Sequence, residues 1–264
     1  MRKFGVKVWS KDVLRNEAFF QQCIDSVKDG KFSYIELFAQ AGSYQDTSDK
    51  IKKQMKGLPV VIHAPHCGVG MDLGREDMRE QNREMLKDSQ LFADMLDASI
   101  IILHPGMGPE KKYLEESIYQ FKSFRDARLA VENQPYECCV THRLLHGITP
   151  DDVKLFKNET NCQFCFDFYH AICTANSLKC PVYDYLAAFH NLNPDMYHLC
   201  DGDINGVEDT HLHLGEGNFD LKRFLNEFID DGALVTLETG REIPQNIEPW
   251  MNDLIYIQNV EKSL

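Results

Sequence analysis

The sequence predicts an α/β protein with the (β/α)8 TIM barrel fold, and two observations lead to this prediction. Short apolar runs rich in β-branched and aromatic residues recur about every 25 to 35 residues, and helical patterns separate most of them. There are eight such runs, and several are continuously apolar, as expected of parallel strands covered on both faces. Eight strands that alternate with helices are typical of a closed barrel rather than an open, doubly wound sheet.

Each predicted strand is one of these apolar runs. In chain order the strands are Phe4–Trp9, Tyr34–Phe38, Pro59–His63, Ile100–His104, Arg128–Glu132, Gln163–Asp167, Met196–Leu199 and Leu234–Glu238. The run IIIL within the fourth strand is an example of continuous apolar sequence. No glycine-rich dinucleotide or phosphate-loop fingerprint follows any of the strands, which argues against a Rossmann fold.

The helical patterns between the strands have apolar residues at a spacing of three and four. They include Glu17–Val27, Glu76–Leu96, Leu114–Phe124, Thr149–Phe156, Val182–Phe189 and Leu221–Ile229. Several have Asp or Thr near their start, where these side chains act as N-caps.

Length and composition are those of one barrel domain spanning residues 1–264. The chain has 264 residues and 43% hydrophobic content, enough to bury a substantial core. No stretch approaches the ~20 apolar residues needed to cross a bilayer, and the N-terminal segment lacks the apolar core of a secretory signal. We therefore expect a cytoplasmic protein without a membrane partner. The formal net charge of −13 provides no global attraction for nucleic acid.

The nine cysteines are scattered through predicted core segments, which favours reduced thiols over a disulfide framework. Cys162 and Cys165 form a CxxC motif, but the alternation of a strand would point these thiols to opposite faces. Core packing is the better interpretation of this pair than a redox or zinc site.

Six consecutive strands, the third to the eighth, end in or run directly into residues of the types that can bind a metal ion. The segments are VVIHAPH, IIILHPG, LAVEN, FCFDFYHA, MYHLCDGD and VTLETG, and the polar loop EDTHLHLGEGNFD follows the seventh strand. The candidate ligands are His63, His104, Glu132, Asp167, His170, His198, Asp209, His211 and Glu238. Because the carboxyl ends of barrel strands meet on one face, we expect these nine side chains to cluster.

Imidazoles and carboxylates are the ligand mixture that Zn²⁺, Mn²⁺ or Fe²⁺ accepts, and nine ligands exceed the needs of one ion. A single histidine at the end of an apolar run is more often packing than a ligand, so the prediction depends on convergence. His66, His213 and Glu216 lie in the same loops. The sequence fits them equally well as further ligands, as residues that support the ligands, or as solvated side chains. Phe166, Phe168 and Tyr169 are better read as aromatic core than as a substrate pocket.

Three motifs resemble endonuclease IV, a member of the xylose isomerase-like barrel superfamily. They are HPG at His104, DxxHA from Asp167 to Ala171, and DxHxxLGEGN from Asp209 to Asn218. The similarity runs from about His63 to Glu238. It implies a trinuclear metal centre, with Zn²⁺ as the leading candidate, that uses a metal-activated water to cleave a phosphodiester at an abasic site in DNA or in a smaller sugar-phosphate ester.

Carried over by position, the resemblance assigns each ion its ligands. The first ion takes His63, His104 and Glu132, the second takes the bridging Glu132 with Asp167, His198 and Glu238, and the third takes His170, Asp209 and His211. It also implies that Glu132 helps to position the attacking hydroxide.

Two other functions remain open alternatives. The sugar isomerases and epimerases of the superfamily use a single ion, here matched by Glu132, Asp167, His198 and Glu238, with Glu132 and Glu238 shuttling a proton. A metal-stabilised binding protein without catalytic activity is the third. The segment FAQAGSYQDTSDK lacks the arginines of DNA-penetrating loops, so the expected substrate is a phosphate ester or a sugar, with DNA less favoured. The oligomeric state is not predicted.

Overall fold

Eight parallel strands form the centre of the computed structural model, which describes residues 1–240 and 244–264. The strands are β1 Lys3–Trp9, β2 Tyr34–Phe38, β3 Val60–His63, β4 Ile101–Leu103, β5 Leu129–Glu132, β6 Gln163–Asp167, β7 Met196–Leu199 and β8 Leu234–Leu237. Each pairs with the next in sequence order, and β8 pairs with β1, so the sheet closes. The predicted TIM barrel is confirmed.

Helices surround the barrel. They are α1 Asp12–Arg15, α2 Glu17–Lys28, α3 Tyr44–Met55, α4 Arg79–Leu96, α5 Lys111–Ser123, α6 Pro150–Thr160, α7 Phe168–Leu178, α8 Val182–His190, α9 Leu221–Glu227 and α10 Glu248–Lys262. None of the helices in residues 1–240 and 244–264 has the length and apolar content needed to span a bilayer.

The structure corrects several predicted boundaries. Four strands are a residue or two shorter than predicted, because His104 and Glu238, for example, follow their strands instead of ending them. The predicted helix Glu76–Leu96 begins as a separate single turn, Glu76–Met78, before α4. Helix α6 has the expected Thr cap, with Thr149 Oγ1 accepting from the backbone N–H of the third helical residue, and it continues past the predicted end at Phe156.

Four helices were absent from the predicted patterns: α1, α3, α7 and α10. Helix α3 begins within the segment FAQAGSYQDTSDK. It was missed because only three of its residues are buried, so its apolar pattern is sparse. Helix α7 starts directly after β6, so His170 lies in its first turn and not on a strand extension.

Alternation along each strand divides the side chains between two layers. On β6, Phe164 and Phe166 point outward into the large core between sheet and helices, whereas Cys165 points into the barrel. The next inward position on β6 is Asp167, two residues beyond Cys165. Cys162 packs against the outer core, so the two thiols of the CxxC motif lie on opposite sides of the sheet, as predicted.

The interior of the barrel is apolar at the bottom and polar at the top. The bottom is lined by Tyr34, Val61, Ile100, Ile102, Ala130, Cys165 and Met196. Two residues further along their strands, the inward positions are occupied by His63, Glu132 and His198. The same register that buries the apolar plug therefore directs the predicted ligands toward the barrel axis at its carboxyl-terminal mouth.

Candidate metal centre

The nine predicted ligands lie together at this mouth. Three groups of metal-ligating side chains contain all of them: His63, His104 and Glu132; Glu132, Asp167, His198 and Glu238; and His170, Asp209 and His211. Within each group one ligand atom of every residue lies within 4.8 Å of the others. The three sets match the ion-by-ion assignment that the resemblance implied. Binding of ions there stays a prediction.

Glu132 lies at the centre of the site and is 1% exposed. Its Oε2 is 2.9 Å from His104 Nε2 and 3.4 Å from His63 Nε2. Its Oε1 is 3.0 Å from His198 Nδ1 and 3.5 Å from His170 Nδ1. The two oxygens thus face different groups, which is the arrangement that a bridging carboxylate requires.

The start of α7 positions two further ligands. Asp167 is the N-cap of the helix, and its Oδ1 accepts a 2.7 Å hydrogen bond from the backbone N–H of His170. The Asn133 side chain bonds the backbone N–H and carbonyl of Asp167, both at 2.8 Å, and so links the ends of β5 and β6. The DxxH spacing is therefore a helix cap whose first-turn imidazole turns back over the mouth.

Hydrogen bonds orient the imidazoles. His63 Nδ1 donates to the Ala64 carbonyl at 2.7 Å, His170 Nδ1 to the Asn133 carbonyl at 2.9 Å, and His211 Nδ1 to the Glu238 carbonyl at 2.6 Å. Because a carbonyl oxygen only accepts, each Nδ1 carries a proton and each Nε2 is left to face the cluster. Metal-binding histidines usually donate their other N–H to a carbonyl or carboxylate, so this donor pattern fits a metal site.

Two of the predicted carboxylate ligands each bury an oxygen that has no hydrogen bond of acceptable geometry. These oxygens are Glu132 Oε2 and Glu238 Oε2. Imidazole nitrogens nevertheless lie close to both, with His104 Nε2 at 2.9 Å from the first and His198 Nδ1 at 2.7 Å from the second. Nitrogen and oxygen atoms that converge without a well-directed hydrogen bond are suited to share a cation, so the residues fit divalent ions.

The charges of the cluster also fit the binding of divalent cations. Among the described residues, five carboxylates line the site, at Glu36, Glu132, Asp167, Asp209 and Glu238, and their side chains are at most 18% exposed. The amine paired with them is that of Lys7. When the imidazoles are neutral, four negative charges of this set remain uncompensated in a buried site, which is costly without cations.

The pKa values of His170 and Asp167 are shifted by the same excess of negative charge. Burial alone would lower the pKa of His170, but Asp167 and Asp209 raise it to about 10. Burial and the nearby Glu132 raise the pKa of Asp167 to about 6, although His170 opposes this shift. Without metal, the cluster therefore holds protons in the places where cations would bind.

The loop between β7 and α9 carries Asp209 and His211 over the mouth. His211 Nε2 is 2.8 Å from Asp209 Oδ2, and the backbone of His211 has a φ of 51°, in the left-handed region. Asp201, which is 2% exposed, accepts backbone hydrogen bonds from Gly202, Gly215 and Phe219 at 2.8, 2.9 and 3.1 Å. One buried carboxylate thus ties both ends of the loop together.

The glycines of the LGEGN motif are required by this loop. Gly215 has a φ of 92°, which favours glycine. A Cβ on the second glycine, Gly217, would overlap Asp201 and the Gly202 backbone. The motif therefore encodes the close packing that presents Asp209 and His211.

Comparison with known proteins identifies the family. The family model for the xylose isomerase-like TIM barrel matches residues 24–259. The chain belongs to this family. Two uncharacterized proteins of Methanocaldococcus jannaschii are similar to it. MJ1311 is 26% identical over 190 residues, which cover 66% of this chain and 61% of that protein. MJ1614 is 21% identical over 235 residues, which cover 85% and 88%.

Several solved structures share the whole fold. A D-tagatose 3-epimerase-like protein has a TM-score of 0.72 at 21% identity and covers 99% of both chains. Endonuclease IV from Thermus thermophilus has a TM-score of 0.68 at 20% identity and covers 99% of this chain and 100% of its own. D-allulose 3-epimerase from Methylomonas sp. has a TM-score of 0.66 at 16% identity and covers 99% and 95%. At these identities the likeness extends to the fold alone.

Two charged residues of this barrel were missed by the sequence analysis. Lys7 of β1 and Glu36 of β2 point into the barrel, where the Lys7 ammonium is 3.1 Å from Glu36 Oε1. The register of β2 contained a signal, because Glu36 lies two residues after Tyr34 and two before Phe38 on the same face. A lone charge within an apolar run was not recognised as part of the site.

The three less certain candidate ligands, His66, His213 and Glu216, lie in two different places. His66 lies at the mouth, with its ring stacked on that of His104 at a centroid distance of 5.0 Å. His213 Nδ1 instead lies 2.6 Å from Asp253 of α10, and the His213 backbone N–H donates to Glu216. His213 and Glu216 therefore support the loop from its outer side.

The aromatic residues around the DxxH motif belong to the core, as predicted. Phe166 and Phe168 are fully buried, and Tyr169 is 1% exposed. The Phe168 ring stacks on Phe224 of α9 at 4.8 Å. Phe166, Phe168 and Tyr169 therefore support the end of β6 from outside the barrel and do not line its mouth.

Proposed function

We propose that this protein is a phosphoesterase that depends on divalent metal ions, one in each of the three groups, with zinc as the leading candidate. The observation that carries the proposal is that Glu132 belongs to two groups and lies 3.5 Å from His170 of the third. A single ion would need only four of these residues. The other five, His63, His104, His170, Asp209 and His211, are explained by further ions.

Bound ions would supply Lewis-acid polarisation of the phosphoryl group and of water. Glu132 holds two groups at a common centre with its two oxygens and would orient an attacking water molecule there. Glu238 presents Oε2 to the cluster beside His198. With water as the attacking group, no nucleophilic side chain is required from the protein.

A small phosphate ester is a better candidate substrate than duplex DNA. The net charge of −13 opposes approach of an extended phosphate backbone, although cations at the mouth would attract a single phosphate. Helix α3 covers residues 44–50 of FAQAGSYQDTSDK, the segment compared with DNA-penetrating loops, and this helix carries no arginine. Trp9, 53% exposed at the end of β1 and packed on Phe38 at 5.7 Å, offers a surface for a sugar ring.

The second candidate function is a sugar or sugar-phosphate isomerase or epimerase. One observation favours it: Glu132, Asp167, His198 and Glu238 form a complete four-residue group by themselves. In this case a single ion would bind two substrate oxygens, and Glu132 and Glu238 would exchange a proton with the carbon between them.

Metal stoichiometry separates the two functions. We expect three divalent ions per chain by elemental analysis of the purified protein, and chelator-sensitive hydrolysis of bis(p-nitrophenyl) phosphate. His211→Ala should lose one ion and about 100-fold or more in hydrolysis, since about 3 kcal/mol of transition-state stabilisation corresponds to that factor. His142→Ala is the control, because His142 is exposed and belongs to none of the three groups, and it should keep all the ions.

Contrary outcomes are equally specific. One ion per chain, together with incorporation of solvent deuterium into a ketose, would establish the isomerase. Hydrolysis that survives exhaustive chelation would exclude the proposed mechanism. Cleavage of an abasic duplex oligonucleotide much faster than the small diester would overturn the preference for a small substrate.

A further inference from the structure

An ion pair lies inside the barrel directly behind the four-residue group Glu132, Asp167, His198 and Glu238. Lys7 and Glu36 are paired residues in the register of β1 and β2, and their side chains are 14% and 0% exposed. The Lys7 ammonium is 3.1 Å from Glu36 Oε1. Neither residue belongs to any of the three groups of predicted ligands.

Glu36 determines which nitrogen of His198 faces the cluster. Glu36 Oε2 accepts hydrogen bonds from Thr236 Oγ1 at 2.6 Å and from His198 Nε2 at 2.9 Å. Because a carboxylate only accepts, His198 Nε2 must carry a proton. The ligand atom of His198 is then Nδ1, which lies 3.0 Å from Glu132 and 2.7 Å from Glu238.

Lys7 acts in the same way on Glu238. The ammonium donates to Glu238 Oε1, which leaves Oε2 as the oxygen that faces His198 Nδ1. One buried pair therefore holds two members of the same four-residue group, each by the atom that points away from the cluster.

We propose that Lys7 and Glu36 are positioning residues that select Nδ1 of His198 and Oε2 of Glu238 as ligand atoms, and thereby set the divalent-cation affinity of the four-residue group. This inference rests on the proposed function only in requiring that the group binds a divalent ion, as both candidate enzymes would. Partners that orient metal ligands typically contribute about 10- to 100-fold in metal affinity.

A purely structural role is a weaker explanation of this pair. Replacement of a buried ion pair by apolar side chains of similar volume is often neutral or stabilising, whereas removal of one partner leaves a costly unpaired charge. The double variant Lys7→Met with Glu36→Leu removes both charges of the pair together, and with them the partners of Glu238, His198 and Thr236. Tyr34→Phe is the matched control, because it removes the 2.8 Å hydrogen bond between Tyr34 and Thr236 one layer deeper in the barrel.

The test measures metal affinity by competition with a chromogenic chelator, using Zn²⁺ alone as the probe, in the full-length wild type and both variants. We expect one zinc ion of the double variant to bind about 10- to 100-fold more weakly, with the other two ions at wild-type affinity, which a general loss of structure would not leave. Tyr34→Phe should keep wild-type affinity.

Nuclear magnetic resonance of ¹⁵N-histidine provides a readout that a structural role would not change. In the zinc-loaded wild type, His198 should bind through Nδ1 with a proton on Nε2, and the double variant should lose this preference. Unchanged zinc affinity and an unchanged His198 signal in the double variant would overturn this inference while leaving the proposed function intact. Failure of the wild type to bind zinc at all would overturn both.

Discussion

Asp201 offers a sharp test of how the protein holds the loop that carries Asp209 and His211. Substitution Asp201→Ala removes the acceptor for three backbone N–H groups, those of Gly202, Gly215 and Phe219. The side chain contributes no ligand to the predicted metal groups, so its effects on the metal centre pass through the loop.

The expected magnitude follows from the burial of the donors. The bonds to Gly202 and Phe219 are buried, and a buried donor left without a partner costs about 1 to 3 kcal/mol. The bond to Gly215 is partly buried, so water can replace the carboxylate there. Together these changes should lower the free energy of unfolding by roughly 2 to 6 kcal/mol. Asp201→Asn keeps one acceptor oxygen and should cost less.

Urea unfolding in the presence of chelator measures this change without a contribution from bound metal. Asp203→Ala is the matched control, because Asp203 is an exposed residue of the same loop and accepts from Asn205 and Asn218. It should change stability by no more than about 0.5 kcal/mol. Hydrogen exchange should show loss of protection at Gly215 and Phe219 in Asp201→Ala only. A loss below about 1 kcal/mol with both amides still protected would refute the reasoning.

Three further predictions concern metal and core. Removal of metal with a chelator should lower the thermal midpoint, because ligands that bind only the folded state stabilise it, and an unchanged midpoint would argue against bound ions. Zinc affinity should rise with pH between about pH 6 and 8, since His170, with a pKa of about 10 in the metal-free site, must release a proton before binding; a flat titration would contradict this. Phe156 is fully buried beside Phe121 in the outer core, so Phe156→Ala should lower the free energy of unfolding in urea by about 3 to 5 kcal/mol and leave the number of bound ions unchanged. Loss of an ion in this variant would contradict the prediction.

The strand ends were predictable because six of the nine predicted ligands lie at the ends of short apolar runs or directly follow them. Val61 and His63, or Met196 and His198, occupy successive inward positions, so the pattern that identifies the strand also directs the ligand. The helices were less predictable. Helix α3 buries few residues, and helix α7 begins without a break after β6, so neither has flanking signals that separate it from its surroundings.

The sequence by itself determined the barrel and the chemical type of every predicted ligand, because both depend on patterns spanning a few residues. Only the tertiary structure decided which charges meet. Lys7, Glu36 and Glu238 come from the first, second and eighth strands, and their contacts arise because β1 pairs with both β2 and β8. Closure of the sheet brings residues more than two hundred positions apart within hydrogen-bond distance, and no local pattern in the chain records that distance.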